Sequence, residues 1–400
     1  MENRALLLTK LEEISRILLE KSQVINESGL LADMALFQFY YAKFLGNDGL
    51  ADIGEEILVS SINNIGSNTY PTYCAGVAGV GWVIDHLSQE GFIEADNDEL
   101  LSEFDTHLHR IMVSDMETGY YDFLHGAIGY GYYFLQRWKN TSSSVLKEVY
   151  QNNLMELVAY LDESSEKDGS HVKWISLRDI NSDDQVFNFS LAHGIPSVIN
   201  FLGRLYEIDF FKPKVEEMLR GGVDYILNFM SSDSDEISLF PNWIQSDGNV
   251  SGPSRLAWCY GDLGIGITLW SVSKCLSYDG LAEKAIEILK HTTHRLTPHE
   301  NMIVDAGICH GSYGNAQIYH RMYIETGDKV FEDAAAFWIN NGLSKAVHED
   351  GYAGYKQFRT HDGVWENRLS LLDGITGIGL SIISYLSDFD AKWDERLMIS

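Results

Sequence analysis

Three soft metal ligands stand in two short motifs, Cys259 in WCYG and the adjacent Cys309 and His310 in ICHG. Two thiolates and one imidazole suit a tetrahedral Zn2+ site. Three protein ligands leave a fourth position for water or substrate, which is the pattern of a catalytic metal. Buried cysteines are also common small hydrophobes, so their spacing alone leaves plain packing as a competing reading. Cys74 and Cys275 are read in that plain way. Around equivalent text lie groups that move protons or hold charge: His193 in LAHGIP, Asp122 in YYDFLHG, and Arg255 and Tyr260 in PSRLAWCYG. Histidine, with an intrinsic pKa near ~6.5, suits proton shuttling. Packing by Tyr260 and helix capping by Asp122 are the alternatives. His125 and His361 are read as structural.

An internal repeat positions these residues. Six segments share a Gly-x-x-Gly-like start followed by an apolar run, with first glycines at Gly76, Gly126, Gly194, Gly261, Gly311 and Gly374. A degenerate seventh copy opens at Gly29, followed by Ala32, and in the third copy Ser197 replaces the second glycine. Small residues at a helix start allow a sharp turn and close backbone approach. Runs such as GIGITLWSV are apolar on most faces, which predicts buried inner helices. Stretches between them are amphipathic, such as LAEKAIEILKHTTHRL with Leu281, Ala285, Ile286, Ile288 and Leu289 on one side, and predict outer helices. Such units close into a double ring in which every inner helix starts at one end. Cys259 and the Cys309–His310 pair then meet there, although far apart in sequence, and His193 faces the same cavity.

Two regions break the rhythm. Residues 162–190 are polar with short strand-like pieces (HVKWISL, QVFNF), the pattern of a small inserted lobe. Residues 231–254 and 349–370 read as long loops leading into inner helices, either functional or merely solvated connectors.

Composition narrows the possible partners. Lys+Arg 29 against Asp+Glu 58 gives a net charge of −29, which repels nucleic acid and anionic membranes and favours peptides with basic or neutral segments. An apolar share of 45% sustains a large core. The N-terminal stretch is an amphipathic helix interrupted by Lys10, Glu12 and Glu13, not a signal peptide. No run of about 18 uncharged apolar residues predicts a membrane span. The expectation is a soluble cytoplasmic protein, with residues 1–400 forming one domain.

The texts SLAHGIPSV, SRLAWCYGDLGIG, ICHGSYGNAQIY and SLLDGITGIGL, in that order, resemble the lanthionine synthetase C-like family and within it the stand-alone class I lanthipeptide cyclases. The resemblance spans essentially the whole chain. It implies an all-α, α/α toroid of about seven repeats with a small inserted domain. It also implies zinc on Cys259, Cys309 and His310, proton transfer at His193 and Asp122, and a site lined by Arg255 and Tyr260. The implied substrate is a dehydrated precursor peptide whose cysteine thiols add to dehydroalanine or dehydrobutyrine, giving lanthionine or methyllanthionine. A lanthipeptide dehydratase and an exporter are candidate partners. The lack of an extra N-terminal region speaks against the fused dehydratase–cyclase and kinase-like relatives. Three alternatives stay open: a relative that adds glutathione to dehydroamino acids, a non-enzymatic glutathione- or peptide-binding protein on the same ring, and another α/α-barrel enzyme. Among the last, a glycosidase needs paired carboxylates in the cavity.

Overall fold

The computed structural model describes residues 2–177, 184–233 and 235–400. Helices dominate. The chain runs through α1 (Glu2–Ser22), α2 (Ser28–Leu45), α3 (Asp48–Asn63), α4 (Val77–Gln89), α5 (Asn97–Glu117), α6 (Ala127–Asn140) and α7 (Ser144–Glu163). It continues through α8 (Ile195–Tyr206), α9 (Lys212–Asn228), α10 (Asp262–Ser273), α11 (Leu281–Thr292), α12 (Ser312–Thr326), α13 (Lys329–Ser344) and α14 (Ile375–Leu386). The even-numbered helices form an inner ring: each packs on the next, and α14 returns to α2. The odd-numbered helices lie outside, each on the inner helix before it, and α1 covers α14 to complete the circle. This is the α/α toroid expected from the repeats, and the degenerate copy at Gly29 is its α2.

Burial follows the residue pattern. Every residue of ITGIGLSIIS in α14 is buried, as an all-round apolar helix must be. On α11 burial falls on Leu281, Ala285, Ile288, Leu289 and Thr292, while Glu283 and Glu287 face water. Several outer helices have side-chain caps: Asp96 accepts from the amides of Asp98 and Glu99, and Asp328 from that of Val330.

Inner helices start differently, and this difference builds the site. The chain doubles back so that the first helical amide donates to a carbonyl seven residues earlier, Val77 to Tyr70, Ala127 to Tyr120, Ser312 to Asp305 and Ile375 to Arg368. That carbonyl lies over the glycine before the helix. A Cβ on Gly76 would sit 2.0 Å from the Tyr70 oxygen, and one on Gly194 2.1 Å from that of Asn188. Close approach, not backbone conformation, therefore demands glycine at these two positions. Ser197, at the second glycine position of its unit, is fully buried and its hydroxyl donates to the Gly194 carbonyl.

Short strands supplement the ring. In β1 (Glu166–Asp168), β2 (His171–Lys173), β3 (Ile175–Leu177) and β4 (Gln185–Asn188) the chain forms a hairpin, β1–β2, and an antiparallel pair, β3–β4. Part of the expected 162–190 lobe, residues 178–183, lies outside the described residues. The stretch 231–254, read from sequence as loop, contributes β5 (Trp243–Gln245), which pairs with β4 through Phe187 opposite Ile244. Three residues are too few to show strand periodicity; the unpaired edge of β4 supplies the partner. In 349–370, β6 (Gln357–Arg359) and β7 (Val364–Glu366) form a hairpin.

Residues 392–400 lie within the ring and touch every inner unit. Trp393 Nε1 donates to Ser384 of α14, Gln317 of α12 to Asp394, and Tyr132 of α6 to the Glu395 carbonyl. Arg396 pairs with Asp33 of α2 at 2.9 Å, and its carbonyl accepts from Tyr73, ahead of α4. Trp258, just before α10, donates to the Leu397 carbonyl, and Asn200 of α8 to that of Met398.

Candidate metal and proton-transfer site

Counting back from the first glycine of each inner unit, two positions face the same end of the ring. Their backbones are linked from unit to unit: Cys74 N donates to Leu124 O, Cys259 N to Cys309 O, and Cys309 N to Leu372 O. This ladder carries Cys259 to Cys309 across fifty residues of sequence. One potential ligand atom from each of Cys259, Cys309 and His310 lies within 4.8 Å of the other two. Two sulfurs and an imidazole nitrogen converging at that spacing could hold a metal ion, and the donor set fits a soft or borderline one.

Charge is already organised in this cluster. The Cys309 thiol as hydrogen-bond partner, reinforced by His310 and Arg255, outweighs burial and holds Cys259 well below the usual thiol range. Cys309 is pushed up by the same contact and by burial. Burial alone would lower His310, but Cys259 and Asp305 reverse this and push it up to about 9. Cys259 is thus biased toward its thiolate and His310 toward its protonated form.

His193 and Asp122 form a second unit at the same end. His193 Nδ1 lies 2.5 Å from Asp122 Oδ2, while Asp122 Oδ1 accepts from the amides of Leu124 and His125 at 2.8 Å. Asp122 therefore both caps its turn and holds the imidazole, leaving Nε2 of His193 available. Burial would lower His193, but the charge and hydrogen bond of Asp122 raise it instead. Burial opposes ionisation of Asp122 too, and His193 overcomes it, holding the carboxyl below its usual range. Ser190 joins this unit to the Cys–Cys–His cluster: its hydroxyl donates to the Cys259 carbonyl at 2.6 Å and accepts from the His193 amide at 3.0 Å.

Tyr260 borders both units. Its ring centroid is 6.3 Å from that of His193, its hydroxyl accepts from Asn188, and burial raises its pKa, so it stays a neutral donor. Arg255 is half-buried, and its charge acts on both cysteines. Trp258 is packed, holding residue 397 through its indole N–H.

Sequence reasoning passed over three neighbours. His125, read as structural, is exposed at the same register position as His193, and the two rings lie nearly parallel with centroids 6.4 Å apart. Asp373 holds that position in the α14 unit and acts electrostatically on His310 and Cys259. Both were legible by counting back from the glycine. Asp305 was not. It is buried, accepts from the amides of Gly307 and Phe358 at 3.0 Å each, and its Oδ2 lies 3.6 Å from His310 Nε2. A carboxylate so pinned is placed to orient the imidazole. Asp305→Asn is expected to weaken metal binding about 10- to 100-fold, read by chelator competition, with the fold retained by circular dichroism.

Comparisons with known proteins agree with this architecture. A family model described as lanthionine synthetase C-like protein matches residues 31–398. A solved structure titled nisin cyclase superposes with a TM-score of 0.75 at 18% sequence identity, covering 97% of this chain and 96% of that one. At that identity the likeness is one of fold. No helix among the described residues is long and apolar enough to cross a membrane.

Proposed function

Because the chain belongs to the lanthionine synthetase C-like family, we propose that it is a zinc-dependent lanthipeptide cyclase. The observation that carries this reading is the convergence of Cys259, Cys309 and His310 beside the His193–Asp122 pair. The three ligands would hold the zinc ion, and its chemistry there is ionisation of a substrate cysteine thiol, which at a free pKa near ~8.5 is a weak nucleophile.

The remaining work falls to the chain's own side chains. The thiolate sulfur bonds to the β-carbon of dehydroalanine or dehydrobutyrine, the carbon–carbon π bond breaks, and charge moves onto the α-carbon and carbonyl oxygen. Arg255 is the cation for that oxygen. His193, kept protonated by Asp122, delivers a proton to the α-carbon, and the thiol's own proton leaves to solvent. Tyr260 supplies a neutral hydroxyl beside His193. The product is a thioether ring, and the substrate is a dehydrated precursor peptide. A dehydratase supplies that peptide, and an exporter is a candidate partner downstream. The acidic chain favours a leader segment with basic residues.

Ring closure leaves mass unchanged but removes a free thiol. Incubation with a dehydrated, cysteine-containing peptide is therefore expected to abolish its labelling by iodoacetamide. A parallel arm supplies a cysteine-free dehydrated peptide with glutathione; adduct formation there, without cyclisation in the first arm, would identify a glutathione-adding enzyme. Binding without turnover in either arm would mark a binding protein.

A further inference from the structure

Units differ in what they place before the first glycine. The α8, α10 and α12 units place His193, Tyr260 and His310 there; the α4 unit places Ala75. One residue earlier, the α6 and α14 units present Leu124 and Leu372, where the metal cluster has Cys259 and Cys309. The Cys–Cys–His cluster and the His193–Asp122 pair are thus gathered on one arc of the ring end, while the opposite arc presents Ala75, Leu124 and Leu372 together with Cys74, His125 and Asp373. Space remains on that arc: a cavity of about 440 Å3, within the range of small-ligand pockets, walled by Leu30, Cys74, Ala75, Leu124, Leu369 and Leu372. Arg396 and Leu397 of the C-terminal segment also border it.

The cavity borders the site, since the carbonyl of Leu372 on its wall accepts from the Cys309 amide. Asp373 lines it and acts electrostatically on His310 and Cys259, and Cys74 on its wall feels both Asp122 and Asp373. Charged side chains also line it, Glu27, Arg368 and Asp373 beside the Asp33–Arg396 pair, so its apolar surface is the leucine wall. Asp33 is paired with Arg396, and burial pushes the Cys74 thiol up to about 12, so it is uncharged at neutral pH. A charged guest lodged among the leucines would lose its hydration, whereas an apolar one gains by leaving water.

The geometry points to a side-chain pocket for the peptide that is cyclised: it takes an aliphatic or aromatic residue close in sequence to the reacting cysteine. That the peptide is cyclised rests on the proposed function; the pocket's preference does not. While the cysteine sulfur occupies the ligand arc, a neighbouring apolar residue reaches across the ring end into the opposite arc. The pocket thereby selects which cysteine is presented.

Ala75 permits a clean test. It is exposed to open space, and other units carry His, Tyr or Asp at its register position, so the local backbone accepts a bulky side chain. The probes are unreactive peptides with serine in place of a dehydroamino acid: acetyl-Cys-Gly-Phe-Gly-Ser-amide and its analogues with Gly or Lys for Phe. Affinities are measured by calorimetry on the zinc-containing protein. The Phe peptide is expected to bind roughly tenfold or more tightly than the Gly and Lys peptides. In Ala75→Trp, which fills the cavity, and Ala75→Asp, which charges it, the Phe and Gly peptides should agree within about twofold. Equal binding of all three peptides by the unmodified protein, a preference for the Lys peptide, or an unchanged Phe preference in both variants would overturn the pocket. None of these readouts needs turnover, so a failure of cyclisation is distinguishable from a failure of the pocket.

Discussion

Replacing Cys309 by alanine is expected to strip the protein of zinc and to end ring closure on a dehydrated peptide. The physical case rests on the small ligand set. With three protein donors, loss of one leaves Cys259 and His310 and two positions for water, too few to retain the ion against dilution or a chelator. Losing its electrostatic contribution removes several kcal/mol of stabilisation, on the order of 10³-fold in rate. The fold should persist, because the Cys309 amide keeps its bond to the Leu372 carbonyl whatever the side chain. Metal analysis and iodoacetamide labelling read the two effects separately. Retained zinc with normal thioether formation would end the proposed mechanism.

His193→Ala should leave zinc in place and slow cyclisation by about 10²- to 10⁴-fold in kcat, the range for losing a general acid. Loss of the metal instead would mean that His193 is a ligand. Asp122→Asn makes a finer prediction. Asp122 is what raises His193 against burial, so without its charge the histidine pKa falls and the alkaline limb of kcat moves to lower pH. The same linkage bears on stability. The raised His193 contributes below its unfolded pKa, and that contribution is lost as pH rises through the folded value; the depressed Asp122 contributes above its unfolded pKa and loses it as pH falls through the folded one. The ion pair is thus worth most between those limits. An unmoved alkaline limb in Asp122→Asn would assign proton delivery to another group, and His125 beside it would be the first to test.

Much of this was legible in the residues because the repeat is a physical requirement. Most inner helices begin with a doubled-back turn that packs backbone against a glycine, so the glycines recur and the register can be counted. Counting places Cys259, Cys309, His310 and His193 at one end without coordinates, and His125 and Asp373 yield to the same count. Asp305 does not, because its meaning depends on where the Phe358 amide lands, on a hairpin 53 residues further on. The β5 strand is hidden for a similar reason: Trp243–Gln245 is a strand only because β4 lies beside it.

By itself, then, the sequence determined the alternation of buried and amphipathic helices, the closed ring and the meeting of Cys259, Cys309 and His310, since these follow from hydrophobic periodicity and from the recurring glycines. Tertiary structure alone decided the Asp122–His193 contact, the carboxylate behind His310, the filling of the ring by residues 392–400 and the leucine-walled cavity opposite the Cys–Cys–His cluster. Those are properties of distances between segments remote in sequence, and such distances are set by packing, which no local pattern records.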